Sequence, residues 1–183
     1  MNLTLKAKEQ IGEFLKKIPA PTALDLTAGN GFDTAFLAES VGAKGKVFAF
    51  DIQPEAVASA KARVESLGLS ARCEFFSAPH ELLASLLPKK YFGKINAAML
   101  NLGYLPNSDK RVITRPSSTI AALKALQGAA EKGRNKISVL SYRAHDGGEE
   151  EFREVSNFLE KFSPKIYSDF SNPKSPALFI FGF

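Results

Sequence analysis

Apolar positions along the chain follow two different periods, and the chain changes repeatedly from one to the other. Spacings of three and four predict helices, whereas short continuous apolar runs predict buried strands. Pro19 and Pro21 end the first helix because proline lacks an amide hydrogen, and Gly42 and Gly68 follow the second and third helices. The predicted helices are residues 3–17, 32–41, 54–67, 79–87, 117–131 and 149–162, and the predicted strands are residues 22–27, 46–50, 72–76, 95–100, 136–142, 165–170 and 177–183.

Five strand–helix units followed by two strands predict one α/β domain over residues 1–183. Strands that alternate with helices form a parallel sheet with helices on both faces and right-handed crossovers. Residues 171–176 leave no room for a helix between the last two strands, which must therefore pair as an antiparallel hairpin or as antiparallel neighbours. The expected architecture is a mostly parallel seven-stranded sheet.

The composition excludes several classes of protein. The 183 residues are 45% hydrophobic and 23% charged, which is typical of a globular domain. Cys73 is the one cysteine, so a disulfide framework and a cysteine-based zinc site are excluded, and His80 and His145 offer little for another metal site. No apolar run approaches the ~18 residues of a membrane span, and the N-terminal segment lacks a signal-peptide core. We expect no metal, no membrane and a cytoplasmic location.

The net charge of +5 is compatible with a polyanionic partner such as RNA. The lysines are spread along the chain, however, and a solvated basic surface with no partner explains the same excess. The charge alone therefore leaves the partner open.

Three predicted strands end in groups that suit ligand binding. Ligands of an open parallel sheet lie beyond the carboxyl ends of its strands. The first strand leads into a glycine loop, residues 25–31, the second ends at Asp51 and the fourth at Asn101. Gly29 and Gly31 allow a sharp turn and a close approach because they carry no Cβ. Asp51 follows Gly31 by twenty residues, where a carboxylate can accept both hydroxyls of a ribose.

The glycine loop suits S-adenosylmethionine better than a nicotinamide dinucleotide. The dinucleotide fingerprint needs a third glycine three residues after the second, and Thr34 stands there. Asp33 would repel a pyrophosphate at the helix N-terminus but would attract the amine and sulfonium of S-adenosylmethionine. A plain glycine turn, with Asn30 capping the helix, is the structural alternative.

These motifs resemble those of small bacterial methyltransferases of the rRNA methylase-like family, whose members methylate the exocyclic amine of 5-aminomethyl-2-thiouridine at the tRNA wobble position. The chain departs from the family at Phe32 and Ala144, where the family has His and Gly, and in residues 171–177. The similarity covers nearly the whole chain, through residues 25–34, Gly45, residues 50–53, 80–81, 101–106, 109–110, 118–119 and 141–148, and Glu151.

The resemblance implies a Rossmann-like class I methyltransferase fold, in which one reversed strand closes the parallel sheet. It also implies S-adenosyl-L-methionine as the cofactor and RNA, above all tRNA, as the partner, with a homodimer left open. The expected cofactor-binding residues are Asp25, Gly29, Asn30, Gly31, Asp33, Asp51, Gln53 and His80. The expected catalytic residues are Asn101, Tyr104 and His145, and the expected substrate-binding residues are Gly103, Asp109, Lys110, Arg111 and Arg115.

Residues 101–104 also resemble the Asn/Asp-Pro-Pro-Tyr motif of amino-methyltransferases, with Leu-Gly in place of the two prolines. Asn101 can accept the hydrogens of an amine and so fix its lone pair toward the methyl group. Gly103 lets the backbone come close, and Tyr104 offers a face on which a base can stack. An amphipathic aromatic on a loop surface is the alternative for Tyr104.

His145 is a candidate general base because an alkyl ammonium must lose a proton before it attacks. Both His145 and His80 could instead be hydrogen-bonded structural residues, and for His80 that role or contact with the cofactor is favoured over catalysis. The cations of the long loop, Lys110, Arg111 and Arg115, suit a phosphate backbone beside a stacked base or, equally, a solvated loop.

The leading interpretation is an S-adenosylmethionine-dependent N-methyltransferase that acts on RNA, most of all on the aminomethyl group of a modified wobble uridine in tRNA. A small-molecule methyltransferase is the first alternative. A non-catalytic RNA-binding protein on a methyltransferase-like fold is disfavoured by the polar strand ends at Asp51 and Asn101, and a nicotinamide oxidoreductase is disfavoured by Thr34.

Overall fold

Seven strands form one sheet in the computed structural model, which describes residues 2–103, 113–172 and 174–183. In chain order they are β1 (Thr22–Asp25), β2 (Lys46–Asp51), β3 (Cys73–Ser77), β4 (Ala97–Leu102), β5 (Lys136–Ser141), β6 (Lys165–Ser168) and β7 (Ala177–Phe181). Their spatial order is β3-β2-β1-β4-β5-β7-β6. Strands β1 to β5 pair in parallel, and β7 runs antiparallel to both β5 and β6. The expected class I arrangement with one reversed strand is confirmed.

Helices pack on both faces of the sheet, as the alternating pattern predicts. They are α1 (Leu3–Leu15), α2 (Phe32–Ser40), α3 (Pro54–Ser66), α4 (Leu83–Leu86), α5 (Pro116–Ala129) and α6 (Gly148–Leu159). Helices α1, α2 and α3 share one buried apolar cluster, and α4, α5 and α6 share another. Neighbouring residues of a strand alternate between these clusters, so that Met99 packs with the first and Leu100 with the second. No helix within the described residues is both long enough and apolar enough to cross a membrane.

The structure moves the limits of a few predicted elements. Strand β4 covers Ala97–Leu102 instead of residues 95–100, so Asn101 lies inside the strand and not after it. The predicted helix over residues 79–87 is a 3₁₀ turn at His80–Leu82 followed by the four-residue α4. Leu87, which precedes a proline, is extended, as the proline ring requires of the residue before it. The other elements begin and end within a few residues of the prediction.

The register brings the carboxyl ends of three neighbouring strands together. Strand β1 lies between β2 and β4, and its last residue, Asp25, is opposite Ala49 on one side and Met99 on the other. Both partner strands continue beyond this point, to Asp51 and to Leu102. The loop after β1 therefore lies between Asp51 and the end of β4, at the edge where this class of sheet binds ligands.

Candidate functional site

The glycine loop packs directly against helix α3. Gly29 and Gly31 both have positive φ values, of 51° and 77°. A Cβ on Gly31 would lie 2.5 Å from the Cα of Ala60, so the close approach that this glycine permits is toward a helix. Gly31 occupies the N-cap position of α2, which has no side-chain cap, and the carbonyl of Asn30 accepts a hydrogen bond from Arg63 Nε at 2.7 Å. The alternative role of Asn30 as a helix cap is therefore wrong.

Asp51 joins the end of β2 to the glycine loop. Its Oδ2 accepts from the amide of Gly29 at 2.8 Å, and its Oδ1 accepts from the amide of Gln53 at 2.9 Å. The side chain is only partly buried, and each carboxylate oxygen has a second lone pair. The carboxylate is thus oriented by the backbone and keeps the capacity to accept two further hydroxyl hydrogens, as a ribose requires.

Asp25 lies beneath the loop and does not reach its surface. It is completely buried, and it accepts hydrogen bonds from Thr34 Oγ1 at 2.6 Å and from the amide of Thr27 at 3.2 Å. Burial, followed by the nearby charge of Asp33, raises the pKa of Asp25 to about 7. We expected Asp25 to contact the cofactor, but its position assigns it to holding the loop. Thr34, noted only as a departure from the dinucleotide fingerprint, supplies the hydroxyl that Asp25 needs.

His80 contacts the same region from the other face of the sheet. The residue is buried, and its Nδ1 lies 3.2 Å from the carbonyl oxygen of Leu26. Because a carbonyl oxygen only accepts, Nδ1 carries the hydrogen. His80 therefore stabilises the backbone that follows β1, which fits the structural role considered for it.

Asn101 is held at two points, by the loop after β1 and by the first turn of α2. Its amide donates to Thr27 Oγ1 at 2.8 Å, and its side-chain Nδ2 donates to Asp33 Oδ2 at 2.5 Å. The other oxygen of Asp33 lies 2.9 Å from Lys8 Nζ in an ion pair. Asp33 was expected to attract a cationic ligand, and the structure instead engages both of its oxygens with protein groups.

A buried glutamate anchors the segment that begins at Gly103. The amide of Gly103 donates to Thr114 Oγ1 at 2.8 Å, and the Thr114 amide donates back to the carbonyl of Gly103 at 2.9 Å. Glu151, only 1% exposed, accepts from Thr114 Oγ1 at 2.7 Å and from Thr119 Oγ1 at 2.6 Å. Gly103 is thereby fixed, through one threonine, to helices α5 and α6.

His145 lies against Gly103, as the strand-end argument expects. A Cβ on Gly103 would lie 3.4 Å from His145 Nε2, and one on Gly148 would lie 3.0 Å from it. His145 Nδ1 lies 2.9 Å from the carbonyl oxygen of Asp146, so Nδ1 carries the hydrogen and Nε2 is the basic nitrogen of the neutral ring. The loops after β4 and β5 therefore meet at a potential proton acceptor.

A cleft of about 460 Å³ opens beside this meeting point. It is formed by α1, the end of β5 and the adjoining ends of β6 and β7, and its walls include Tyr142, Pro176 and Asp169. Tyr142 is 43% exposed, and its Cβ would lie 3.8 Å from a Cβ on Gly103. An apolar wall, an aromatic ring and a carboxylate are groups that suit a nucleoside base.

The remaining candidates are less informative. Arg115 precedes α5 with an exposed side chain. Tyr104, Asp109, Lys110 and Arg111 lie outside the residues that the structure describes. Across the described ranges, no cluster of three or more His, Cys, Asp or Glu side chains has a geometry that could hold a metal ion.

Sequence reasoning missed the side chains that support the site from other elements. Lys8 belongs to an amphipathic helix, where a lysine is ordinarily a surface residue. Glu151 lies in the first turn of α6 among three consecutive glutamates, where acidic residues commonly complement the helix dipole. The family resemblance includes Glu151 and was the one indication that it differs from the other two glutamates. No local pattern of residues distinguishes it from them.

Comparison with known proteins relates the chain to methyltransferases. The family model described as "Putative rRNA methylase" matches residues 47–175. A second model, for protein-L-isoaspartate(D-aspartate) O-methyltransferase, matches residues 5–78.

Individual relatives agree with the first model. A crystal structure of a putative rRNA-methylase from Clostridium thermocellum is 32% identical with a TM-score of 0.89, covering 98% of this chain and 96% of that one. An rRNA methylase from Streptococcus thermophilus, 24% identical, shares the fold with a TM-score of 0.75 over 98% and 95% of the two chains. A chloroplastic tRNA (mnm(5)s(2)U34)-methyltransferase of Arabidopsis thaliana is 34% identical over 145 residues, which is 75% of this chain. The match spans 52% of the plant protein, about half its length.

Replacing Asp25 by Asn should change how stability depends on pH. The pKa of Asp25 is about 7 in the folded protein, well above the ~3.9 of an unfolded chain, so the folded state holds the proton more tightly. The stability of the parent should therefore fall as the pH rises from the unfolded to the folded pKa. Relative to D25N, we expect the parent's free energy of unfolding to fall by about 2–3 kcal/mol between about pH 5 and about pH 8. Urea unfolding of both proteins measures this, and parallel profiles would contradict the assignment.

Proposed function

The chain belongs to the Putative rRNA methylase family, a family of S-adenosylmethionine-dependent methyltransferases, and from that premise we propose that it transfers a methyl group from S-adenosylmethionine to an amine on RNA. The more specific proposal is that the acceptor is the aminomethyl group of a modified wobble uridine in tRNA. The observation that carries the proposal is the meeting of Asn101, Gly103 and His145 beside the glycine loop. Methyl transfer to an amine requires a hydrogen-bond acceptor that orients the amine, space beside the backbone, and a group that accepts a proton. Asn101, Gly103 and His145 would supply these in turn.

The cofactor has a suitable place between β1 and β2. Asp51 would accept the ribose hydroxyls, since backbone amides already orient its two oxygens. Gly29, Asn30, Asp33, Gln53 and His80 surround the same region, and we assign the methionine end to the neighbourhood of Asn30 and Asp33. When bound, S-adenosylmethionine would supply a methyl group on a positively charged sulfur, and that sulfur would keep the electron pair of the carbon–sulfur bond.

Residues at the end of β4 and in the loops after β4 and β5 would act on the amine. Its nitrogen lone pair forms the new bond to the methyl carbon, and Asn101 would fix this lone pair by accepting an amine hydrogen. The alkyl ammonium must first lose one proton, and Nε2 of His145 would accept it, directly or through one water. Gly103 would leave room for the amine between these two groups. The chain thus provides alignment and proton removal.

RNA is favoured over a small molecule as the acceptor. The plant relative is named for a tRNA uridine, the net charge is +5, and the cleft beside Tyr142 suits a nucleoside base. We also assign Arg115 to the RNA phosphate backbone, together with Lys110 and Arg111, and Tyr104 to stacking on a base. Tyr104, Lys110, Arg111 and the expected substrate-binding residue Asp109 lie outside the described residues.

Methylation of tRNA by the purified protein tests the function directly. We expect that, with S-adenosylmethionine, it adds one methyl group to the aminomethyl uridine of tRNA isolated from a strain that lacks the gene, as measured by mass spectrometry of the nucleosides. The rate should fall steeply with added salt, because RNA binding releases counterions. Methylation of a free nucleoside amine but of no tRNA would favour the small-molecule alternative.

Replacing Asp51 by Ala should weaken S-adenosylmethionine binding at least about tenfold, since each hydrogen bond to a charged group is worth ~1.5–3 kcal/mol. Titration calorimetry measures the affinity without requiring a turnover. Asp169, a carboxylate on the wall of the cleft, provides the control, and D169A should bind the cofactor as the parent does. Equal affinities for D51A and the parent would remove Asp51 from the cofactor site.

Replacing His145 by Ala should lower the rate near neutral pH by ~10²–10⁴-fold, the usual value of general-base assistance. The loss should shrink as the pH rises, because an alkyl amine with a reference pKa of ~10.4 then deprotonates increasingly without help. Single-turnover rates from about pH 6 to about pH 9 measure both effects. A loss that is the same at every pH would mean that His145 orders its loop or contacts RNA and is not the base.

A further inference from the structure

Lys8 extends from the first helix into the centre of the site. Its Nζ lies 2.9 Å from Asp33 Oδ1 and donates to the carbonyl of Phe32 at 3.3 Å. The side chain of Lys8 is 22% exposed and that of Asp33 only 7%. An ion pair that is this far removed from water is much less screened than one on the surface. Helix α1 therefore contributes a charge to a site that is otherwise built from strand ends.

Asp33 contacts Lys8 with one oxygen and Asn101 with the other. Its second oxygen accepts the hydrogen bond from Asn101 Nδ2, and the backbone amide of Asn101 is fixed by Thr27. A side-chain amide has a donor end and an acceptor end of nearly equal shape, and the partners alone decide which way it turns. A carboxylate only accepts, so Asp33 holds the NH₂ group on its own side and leaves Oδ1 for another partner.

Lys8 places a positive charge among the carboxylates around the loop. Asp25 and Asp33 lie close enough for the charge of one to act on the other, and Asp51 also contributes to the field at Asp25. A buried carboxylate that lies among other negative charges needs an opposite charge beside it. Lys8 supplies that charge at 2.9 Å from Asp33 Oδ1 and so fixes this oxygen in place.

We propose that Lys8 is a positioning residue for methyl transfer: through Asp33 it holds the Asn101 amide with its oxygen toward the acceptor amine. The inference rests on the proposed function, because it needs an amine as the acceptor. Without the ammonium group, Asp33 Oδ1 loses the partner that holds it, so the carboxylate can turn away and the Asn101 amide is free to rotate. Its NH₂ group would then face the hydrogens of the amine, and the lone pair would lose its alignment.

Substitution of Lys8 separates this role from a merely structural ion pair. K8M removes the charge and keeps the apolar stem, K8Q is a second neutral variant in case K8M does not fold, and K8R restores a cation. Lys6 gives the matched control, since it lies on the same helix and pairs with Glu9 at the surface. Thermal unfolding first establishes that each variant is folded.

We expect the neutral variants to lower kcat at saturating cofactor and tRNA by about 10–100-fold, the effect of losing one well-placed hydrogen bond in the transition state, with little change in either KM. K8R should recover most of the activity, and K6M should equal the parent. Unchanged kcat in K8M or K8Q would overturn the proposal, as would a loss confined to the KM for S-adenosylmethionine. A K8R variant as slow as the neutral ones would also overturn it.

The side-chain amide resonances of Asn101 provide a readout that needs no activity. They can be assigned because they disappear in N101D. The amide proton that is hydrogen-bonded to Asp33 should have a chemical shift different from that of an amide proton without such a bond. We expect the shifted resonance of the Asn101 amide proton in the parent, K6M and K8R, and we expect it to be lost in K8M and K8Q. A shifted resonance that persists in the neutral variants would overturn the proposal. If the parent methylated no RNA while the amide signature followed the charge of Lys8, the proposed function would fail and the positioning of Asn101 by Lys8 would stand.

Discussion

Buried carboxylates must have hydrogen-bond or ionic partners, and this constraint organises the site. An unpartnered buried charge costs several kcal/mol, a large part of the stability of a domain of this size. Asp25, Asp33 and Glu151 are all buried in this protein. Each is satisfied by groups from a different element, so that each carboxylate joins parts of the chain that periodicity alone leaves unrelated.

The same device appears on both sides of the site. Asp25 accepts a hydrogen bond from the Thr34 hydroxyl and so secures the glycine loop. Glu151 accepts hydrogen bonds from two threonine hydroxyls, and one of these, on Thr114, holds the amide of Gly103. In both cases a buried carboxylate, through a threonine hydroxyl, orders a backbone segment that lies nearer the surface. Backbone ordered in this way needs no rearrangement when a ligand binds, and preorganisation of this kind is a major source of catalytic power.

Asp33 connects these two halves. It lies in the first turn of α2, directly after the glycine loop, and its side chain bonds to Asn101 on β4. Asp33 therefore joins the region proposed to hold the cofactor to the strand proposed to hold the acceptor, through a single hydrogen bond. In the proposed site, this carboxylate at the start of α2 would act on the acceptor side as well as on the cofactor side, and Lys8 of α1 belongs to the same bonded group.

The sequence alone determined the elements, their order and the strand ends at which the site lies. Hydrophobic period and turn residues are local properties, so they predicted the parallel sheet, the antiparallel strands at the end, and the positions of Asp51 and Asn101 at or near strand ends. The approach of His145 to the loop after Asn101 also followed, because the carboxyl ends of parallel strands lie at one edge; its contact with Gly103 came from the structure. Only the tertiary structure decided that Asp25 is buried, that Asn101 turns its NH₂ group to Asp33, and that Lys8 enters the site. Asp33 and Asn101 are 68 residues apart, and their contact exists because β1 pairs with β4 across the sheet. Such partners are set by the packing of distant elements, which no local pattern of residues encodes.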